Sequence, residues 1–311
     1  MADNREADRP DALRPVRSAL FVPANREPWI TKSPGYGADV VVLDLEDATP
    51  PAEKQAAQEI LHGAIRDLHE QGQGVWVRIN EIGSSFIAGD LEAIVQPGLG
   101  AVCLPKVTGP EAVSELDSML ADAEARHGVP NGAVRIVPLL ETAPAILHAA
   151  DVFRSSPRIA YGGGIVAPSG DVALAIGFRW SDTFEETFVL RSQVLIAARA
   201  CGIDNPVTGL VASVDSEPVR RFAAQSRALG YAGMFVIHPT HVAIANEAFR
   251  PSAEELAWCE EILAGAESAA EDGRGTFVDS QGRMIDVAML RVAHQLLERD
   301  RVFRERESQP R

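Results

Sequence analysis

The segment ADVVVLDLED, residues 38–47, is an apolar run that ends in three carboxylates, those of Asp44, Glu46 and Asp47. Its body shows no alternation of polar and apolar residues, which predicts a strand covered on both faces, as in a parallel sheet. In a parallel α/β barrel the active site lies at the carboxyl ends of the strands. The acidic end of this run therefore indicates a candidate site.

Further apolar runs of this kind alternate with amphipathic stretches that have helical spacing. Eight strands with helices between them, over about 250 residues, predict a (β/α)8 TIM barrel. A doubly wound sheet is the competing architecture, but no GxGxxG motif follows the first run. We expect the barrel to occupy residues 14–250 and a helical C-terminal extension to occupy residues 251–311. The eight runs are 18–24, 38–47, 74–80, 101–106, 134–142, 158–164, 205–210 and 233–239.

The composition argues against two classes of partner. The chain has 311 residues, 46% of them hydrophobic, and a net charge of −15. Such a charge disfavours binding to nucleic acid or to an anionic membrane. No apolar run approaches the roughly 18 residues of a membrane helix, and the charged start lacks the apolar core of a secretory leader. We expect a cytoplasmic protein with reduced thiols at Cys103, Cys201 and Cys259.

Polar residues end several of the predicted strands. Arg78 and Asn80 end the third run, Lys106 ends the fourth, Glu141 lies near the end of the fifth, and His238 lies near the end of the eighth. For any one of these residues, leaving the core for solvent is an equally good explanation. Because five strands end alike, the pattern favours a shared site. The His-Pro turn at His238 is more typical of a loop contact than of a catalytic base.

Two acidic residues suggest a metal. Glu141 follows an apolar strand, and Asp171 lies in APSGDVALAIG, residues 167–177, which we interpret as a Gly-containing loop after the sixth strand. Carboxylates without a nearby cysteine or paired histidine suit a hard cation such as Mg²⁺ better than zinc. A helix cap at Asp171 and a salt bridge at Glu141 would explain the same residues without a metal.

Eight segments in the same order resemble the citrate lyase β-subunit-like family, which includes malyl-CoA, methylmalyl-CoA and citramalyl-CoA lyases. The resemblance extends from residue 14 to residue 295, nearly the whole chain. Its APSGD segment is longer than the loop usual in that family. The eight segments are RSALFVPAN, GADVVVLDLEDATPPAEK, VRIN, LPKV, PLLET, GD…IG, RS…AARACGI and GYAGMFVIHPTHVAIANEAF.

The resemblance implies a Mg²⁺-dependent enzyme that cleaves or forms a 3-hydroxyacyl-CoA, such as malyl-CoA or citramalyl-CoA, from an acyl-CoA and a 2-oxo acid. It implies that Glu141 and Asp171 bind Mg²⁺ and that Arg78 binds the substrate carboxylate or carbonyl. The acidic strand end, with Asp44, Glu46 and the catalytic candidate Asp47, holds Arg78 and the metal's waters. Residues that contact the coenzyme A ester or the substrate are expected at Arg17, Lys32, Glu46 and Lys106.

The element GRMID, residues 282–286, resembles one whose aspartate reaches the active site of a neighbouring subunit as an acid or base. The resemblance therefore implies a catalytic role for Asp286 and an obligate assembly, a homotrimer or a hexamer.

Four other activities stay open at this stage. Lys106 stands at a strand end from which a desolvated amine could form a Schiff base. A 2-oxo acid aldolase would use the same Arg, Glu and Asp positions without coenzyme A. A malyl-CoA thioesterase would release free coenzyme A, and a β subunit of a multi-subunit citrate lyase would act only within its complex.

Overall fold

The computed structural model describes residues 14–163, 170–271 and 276–308. The chain divides into two compact units, one reaching Phe249 and the other beginning at Arg250. The first unit contains a seven-stranded parallel sheet with strand order β5-β4-β3-β2-β1-β7-β6. Its strands are β1 Ser18–Pro23, β2 Val40–Asp44, β3 Gly74–Arg78, β4 Leu99–Leu104, β5 Arg135–Pro138, β6 Val207–Thr208 and β7 Gly233–Val236.

The strand register brings the polar strand ends together. Strand β2 is buried along its whole length, as its unbroken apolar body predicts. In the parallel ladder, Asp44 pairs with Pro23 on one side and with Arg78 on the other. Arg78 in turn pairs with Cys103 of β4. The carboxyl ends of the central strands therefore lie at one edge of the sheet.

The sixth predicted strand is not regular. Ile159 and Gly163 form single parallel bridges to Ile136 and Leu139, and the carbonyl of Gly162 accepts a hydrogen bond of 2.9 Å from the N–H of Val207. A Cβ at Gly163 would lie 2.8 Å from the carbonyl oxygen of Pro138, so this close approach requires glycine.

The fold is consistent with a TIM-like barrel, but its regular ladder is not closed within the described residues. The prediction of eight strands is confirmed for seven of the eight runs. Glycine-rich backbone has few side chains to pack in a sheet, which accounts for the irregular sixth strand.

Helices connect the strands as the sequence predicts. The helix Pro110–His127 begins after Gly109 and ends at Gly128, whose φ of 67° is the left-handed value common at helix ends. The helices of the first unit are α1 Glu27–Lys32, α2 Lys54–Glu70, α3 Ile87–Ile94, α4 Pro110–His127, α5 Ala143–Leu147, α6 Ala149–Arg154, α7 Asp171–Ile176, α8 Phe188–Ala200, α9 Ser216–Leu229 and α10 Pro239–Ala248.

The second unit combines two helices, α11 Ala253–Glu271 and α12 Val287–Ser308, with a short antiparallel hairpin. The hairpin strands are β8 Phe277–Val278 and β9 Met284–Ile285, and Gly282 in the turn has a φ of 79°. The sequence predicted the helices but not the hairpin. In the portions of the chain that the structure describes, every helix is too short or too polar to cross a membrane.

Candidate active site

Arg78 lies at the centre of the cluster formed by the strand ends. Its Nε donates to Oδ1 of Asp44 at 2.8 Å and its Nη2 donates to Oδ2 at 2.5 Å. Its Nη1 lies 3.0 Å from Oε2 of Glu46. The guanidinium also lies over the ring of Phe21, with 4.9 Å between Cζ and the ring centroid. These contacts fix the plane of the guanidinium, so it can present its other N–H groups to a substrate.

Asp44 is the support for Arg78. The carboxylate is 1% exposed, and its two oxygens also accept from the main-chain N–H groups of Glu46 and Ala48, at 3.0 and 3.3 Å. Burial alone would lower the pKa of Arg78, but the hydrogen bond to Asp44 and the charges of Asp44 and Glu46 raise it above its usual value. Arg78 is therefore a permanent cation.

Lys106 forms the second cationic position of the cluster. Its Nζ lies 2.5 Å from Oε1 of Glu46 and 3.5 Å from Oδ1 of Asp47. The hydrogen bond to Glu46 is the largest cause that raises the pKa of Lys106 above its usual value. The amine therefore stays protonated at neutral pH, which argues against the Schiff-base alternative, since a Schiff base needs a neutral amine.

A cavity of about 140 Å³ opens beside this cluster. Three carboxylates and one guanidinium line it, together with an apolar wall. The apolar wall was not predicted as part of the site, although Phe21 and Phe235 lie in the first and eighth predicted strands. The polar residues are Asp47, Arg78, Glu141 and Asp171, and the apolar ones are Phe21, Leu139, Val172, Leu210 and Phe235.

Glu141 has the most perturbed carboxyl group in the cavity. Burial raises the pKa of Glu141 to about 7, the N–H of Lys106 and the charge of Arg78 oppose the rise, and the charges of Glu46 and Asp171 add to it. The excess of negative charge in this cavity is what a divalent cation would neutralise.

The residues present fit a hard cation. Glu141 and Asp171 line the same cavity and offer oxygen ligands, which Mg²⁺ prefers. Within the described ranges no three His, Cys, Asp or Glu residues form a complete metal cage. A metal held here would therefore take its remaining ligands from water and from substrate oxygens, which is the usual arrangement for Mg²⁺.

One expectation about Asp171 is corrected. The sequence placed it in a loop, whereas the structure makes it the first residue of α7, after Gly170. Residues 164–169 of the APSGD segment lie outside the described residues.

The two neighbouring acids after β2 have different environments. The side chain of Glu46 is 5% exposed and contacts both Arg78 and Lys106. The side chain of Asp47 is 60% exposed, and its Oδ2 is farther from Nη1 of Arg78, at 4.0 Å. Asp47 lines the cavity and can act on a bound substrate. The sequence led us to expect a direct contact between Glu46 and the substrate. Because Glu46 is closed to solvent and holds Arg78 and Lys106, its position does not fit that contact.

Arg17 requires a second correction. It precedes β1 and therefore lies at the amino end of the sheet, where its Nε and Nη2 donate to Asp39 at 2.9 and 2.8 Å. The residue is 1% exposed. A side chain closed to solvent cannot contact coenzyme A, so the expectation for Arg17 is wrong and its role is structural.

Three other predicted residues of the first unit, Lys32, His238 and Asn80, are not among those that line the cavity, and Asp286 belongs to the second unit. Lys32 is exposed at the end of α1. Asp286 is exposed in the second unit, and its Oδ1 accepts from the N–H of Met289 at 3.0 Å, which is a helix-capping contact. His238 caps α10 in the same way, with its Nδ1 accepting from Thr240 N at 3.3 Å. Asn80 is buried and accepts from Lys54.

Comparison with known proteins extends these observations. The sequence model of the HpcH/HpaI aldolase/citrate lyase family matches residues 17–239. A citrate lyase subunit beta-like protein of Deinococcus radiodurans is 35% identical, over 93% of this chain and 98% of its own. An L-malyl-CoA/β-methylmalyl-CoA lyase of Cereibacter sphaeroides is 31% identical, over 91% of this chain and 94% of its own.

A solved structure is similar over the same length. CitE of Mycobacterium tuberculosis, crystallised with magnesium, acetoacetate and coenzyme A, superposes with a TM-score of 0.71. It is 29% identical, and the match covers 93% of this chain and 98% of that one.

Proposed function

Because the chain belongs to the HpcH/HpaI aldolase/citrate lyase family, we propose that it is a Mg²⁺-dependent carbon–carbon lyase acting on a 3-hydroxyacyl-CoA. The resemblance inferred from the sequence is confirmed at the level of the family, whose members named above include CoA-ester lyases. The observation that carries the proposal is the cavity in which Arg78 lies beside Glu141 and Asp171. The substrates are an ester such as malyl-CoA or citramalyl-CoA, or an acyl-CoA and a 2-oxo acid in the reverse direction.

Arg78 binds the carboxylate of the 2-oxo acid in this proposal. Asp44 takes Nε and Nη2, and Glu46 takes Nη1, so three of the five guanidinium N–H groups are used for orientation. The remaining two can donate to a carboxylate, in a planar geometry that a lysine would not reproduce.

Glu141 and Asp171 would hold the Mg²⁺. The chemistry that Mg²⁺ supplies when bound is Lewis-acid activation, which lowers the pKa of the substrate's hydroxyl group. Glu141 must give up its proton to act as a ligand, and its pKa of about 7 makes the apo site ready for this at mildly alkaline pH.

The proton transfers need one base and one acid. In the cleavage direction, a base removes the proton of the 3-hydroxyl, the C–O bond becomes a carbonyl, and the electrons of the broken carbon–carbon bond pass to the thioester as an enolate. A proton delivered to the enolate carbon completes the acyl-CoA. We assign the hydroxyl proton to Asp47, whose exposed carboxylate lines the cavity, and the enolate proton to Asp286 of an adjacent subunit.

An exposed apolar face supports the assembly that this assignment requires. Helix α5 contacts α7 and α8, and together these three helices expose six large apolar side chains. Leu174 is 84% exposed and follows Asp171 on the same helix. Exposed apolar groups in such number are typical of protein interfaces. The six are Leu147, Leu174, Ile176, Phe188, Val189 and Ile196.

The second unit presents a matching surface. Val278 and Met284 are paired across the hairpin and are 62% and 71% exposed, and Val287 beside Asp286 is 65% exposed. We propose that this hairpin surface packs against the α5–α7–α8 face of a second copy, which gives a head-to-tail contact. Head-to-tail contacts form a ring when the rotation between copies closes, and a closed ring of three copies is the trimer that the resemblance implies.

The direct test is an assay of the purified full chain with Mg²⁺ and malyl-CoA, β-methylmalyl-CoA and citramalyl-CoA, in which the 2-oxo acid and the free thiol are measured separately. The proposal expects 2-oxo acid without free thiol, and loss of the reaction in EDTA. Free thiol without 2-oxo acid would identify a thioesterase instead. A parallel assay uses the corresponding free hydroxy acids, and activity on these acids alone would identify an aldolase. Inactivity of the isolated chain on the three esters and on the free acids would favour a subunit of a larger lyase.

Subunit mixing tests the shared site. Asp286→Asn should reduce turnover by about 10²–10⁴-fold, the usual contribution of an acid or base, while Mg²⁺ binding is retained. Mixing Asp286→Asn with Arg78→Ala subunits should restore part of the activity, since some interfaces then combine two intact halves. No rescue despite demonstrated subunit exchange would eliminate the shared site.

The interface has its own control. Leu174→Glu should lower the molar mass measured by light scattering, because it places a charge in the proposed contact. Arg66→Glu, on the exposed face of α2, changes charge at a polar position and should leave the molar mass unchanged. Equal masses for both variants would reject the α5–α7–α8 face as the interface.

A further inference from the structure

Lys106 has a backbone conformation that is unusual for its residue type. Its φ is 50°, in the left-handed region that favours glycine, and among the non-glycine residues that the structure describes it shares a positive φ only with Phe184. Left-handed backbone at a side-chain-bearing residue costs free energy and occurs most often where a site requires it. Lys106 lies between Glu141 and Glu46, so this conformation lets its main chain contact one and its side chain the other.

The main chain and the side chain of Lys106 contact different parts of the site. The N–H donates to Oε2 of Glu141 at 3.2 Å. The Nζ lies 2.5 Å from Oε1 of Glu46, whose other oxygen lies 3.0 Å from Nη1 of Arg78. One residue therefore links the candidate metal ligand to the candidate substrate-binding arginine.

We infer that Lys106 is a positioning residue, which holds Glu141 through its main chain and Arg78 through Glu46, and that it does not contact the substrate or coenzyme A. This inference rests on the proposed function for the roles of Glu141 and Arg78. Its ammonium already contacts two carboxylates, those of Glu46 and Asp47, and these contacts are the observation that assigns it a positioning role.

The side-chain half is tested by a double-mutant cycle in the condensation direction. Lys106→Met and Glu46→Gln should each raise the KM for the 2-oxo acid by about tenfold and change kcat by less than about threefold, because both loosen Arg78. The double variant should be no worse than the poorer single variant, since both changes interrupt one chain of contacts. The matched control is Arg66→Met, which removes an exposed cation from α2. It should leave both the KM for the 2-oxo acid and kcat unchanged.

Other results would overturn this half. Multiplying effects in the double variant would show that Lys106 acts independently of Glu46, and an effect on the KM for the acyl-CoA alone would make it a coenzyme A ligand. Absence of lyase activity in the wild-type chain would refute the proposed function, but not the positioning role of Lys106. A crystal structure of Lys106→Met tests that role without any activity. Retention of the contact between Glu46 and Nη1 of Arg78 in that structure would refute the inference.

The backbone half is tested by titration with Mg²⁺ alone in a calorimeter. Lys106→Gly and Lys106→Ala both lack the ammonium, but only glycine adopts a φ of 50° without cost. We expect Lys106→Gly to bind Mg²⁺ at least about threefold more tightly than Lys106→Ala. Equal affinities, or tighter binding by the alanine variant, would show that the backbone conformation does not position Glu141.

Discussion

The two ends of the sheet use the same residue types in opposite ways. At the amino end, Arg158 is 3% exposed and its guanidinium lies 2.8 Å from the carboxylate of Glu124 and 2.5 Å from that of Asp117. Arg17 and Asp39 form a second closed pair there. At the carboxyl end, Arg78 is also paired, but it lines a cavity with Glu141 and Asp171.

The difference appears in two glutamates, Glu124, which is buried, and Glu141, which is half-buried. Burial would raise the pKa of Glu124, but Arg158 and the N–H groups of Val134 and Gly132 lower it below its usual value. Burial raises the pKa of Glu141 to about 7, because its partners only partly compensate. A carboxylate with all its partners stabilises the fold, whereas one left with incomplete compensation is prepared for a ligand.

The largest expected effect is on turnover. Glu141→Gln keeps the shape of the side chain and removes a metal-binding charge, so we expect Mg²⁺-dependent turnover to fall by at least about 1000-fold, the scale of several kcal/mol that a metal contributes. The circular dichroism spectrum should be unchanged. Full turnover in this variant at saturating Mg²⁺ would show that Glu141 is not a metal ligand.

The amino-end cluster should respond in stability. Arg158→Met leaves the carboxylate of Glu124 buried without its cation, and we expect a loss of about 3–5 kcal/mol in the free energy of unfolding. Chemical denaturation measures the loss. The folded fraction of Arg158→Met at low temperature should retain the wild-type kcat. If this variant is as stable as wild type but inactive, the amino end of the sheet serves activity and not stability, which contradicts the assignment.

The pH dependence of stability separates the two glutamates further. Without metal, folded Glu141 holds its proton up to a pKa of about 7, whereas an unperturbed glutamate has a pKa of 4.5. Between these values the folded chain binds more protons, so this group's contribution to the free energy of unfolding falls as pH rises and reaches its full cost above pH 7.

Replacement of Glu141 removes that cost. In EDTA, Glu141→Gln should be more stable than wild type by roughly 3 kcal/mol at pH 8, and the difference should nearly vanish at pH 4.5. Urea denaturation at the two pH values measures it. A pH-independent difference would show that Glu141 is ionised in the apo chain at acidic pH as well.

The smallest expected effect calibrates the others. Arg66 and Asp67 form an ion pair of 3.0 Å whose side chains are about 60% exposed. Arg66→Met should change the free energy of unfolding by less than about 0.5 kcal/mol, because exposed pairs are screened by water. A loss comparable to that of Arg158→Met would mean that burial does not distinguish the two kinds of pair.

Much of the site could be predicted from the ends of apolar runs. The rule that parallel strands carry functional groups at their carboxyl ends located Asp44, Arg78, Lys106 and Glu141, because the register aligns those ends. The same rule places Arg17, which precedes its strand, at the opposite end. The expectation from family resemblance conflicted with that rule, and the structure supports the rule.

Other features had no sequence signal. The hairpin strands have two residues each, too few for a period to appear. The left-handed backbone at Lys106 could not be predicted either, because lysine has no preference for that conformation and the surrounding contacts impose it. The apolar wall of the cavity looks like ordinary core in the sequence, since its residues come from strand ends and a helix that are far apart along the chain.

We propose that Glu141 and Asp171 hold a divalent cation beside Arg78. Crystals soaked with Mn²⁺, which accepts the same oxygen ligands as Mg²⁺, test this site directly through anomalous scattering. We expect one strong anomalous peak at about 2 Å from carboxylate oxygens of both Glu141 and Asp171. An anomalous peak at another position, or no peak at saturating Mn²⁺ and pH 8, would contradict the assignment of Glu141 and Asp171 as metal ligands.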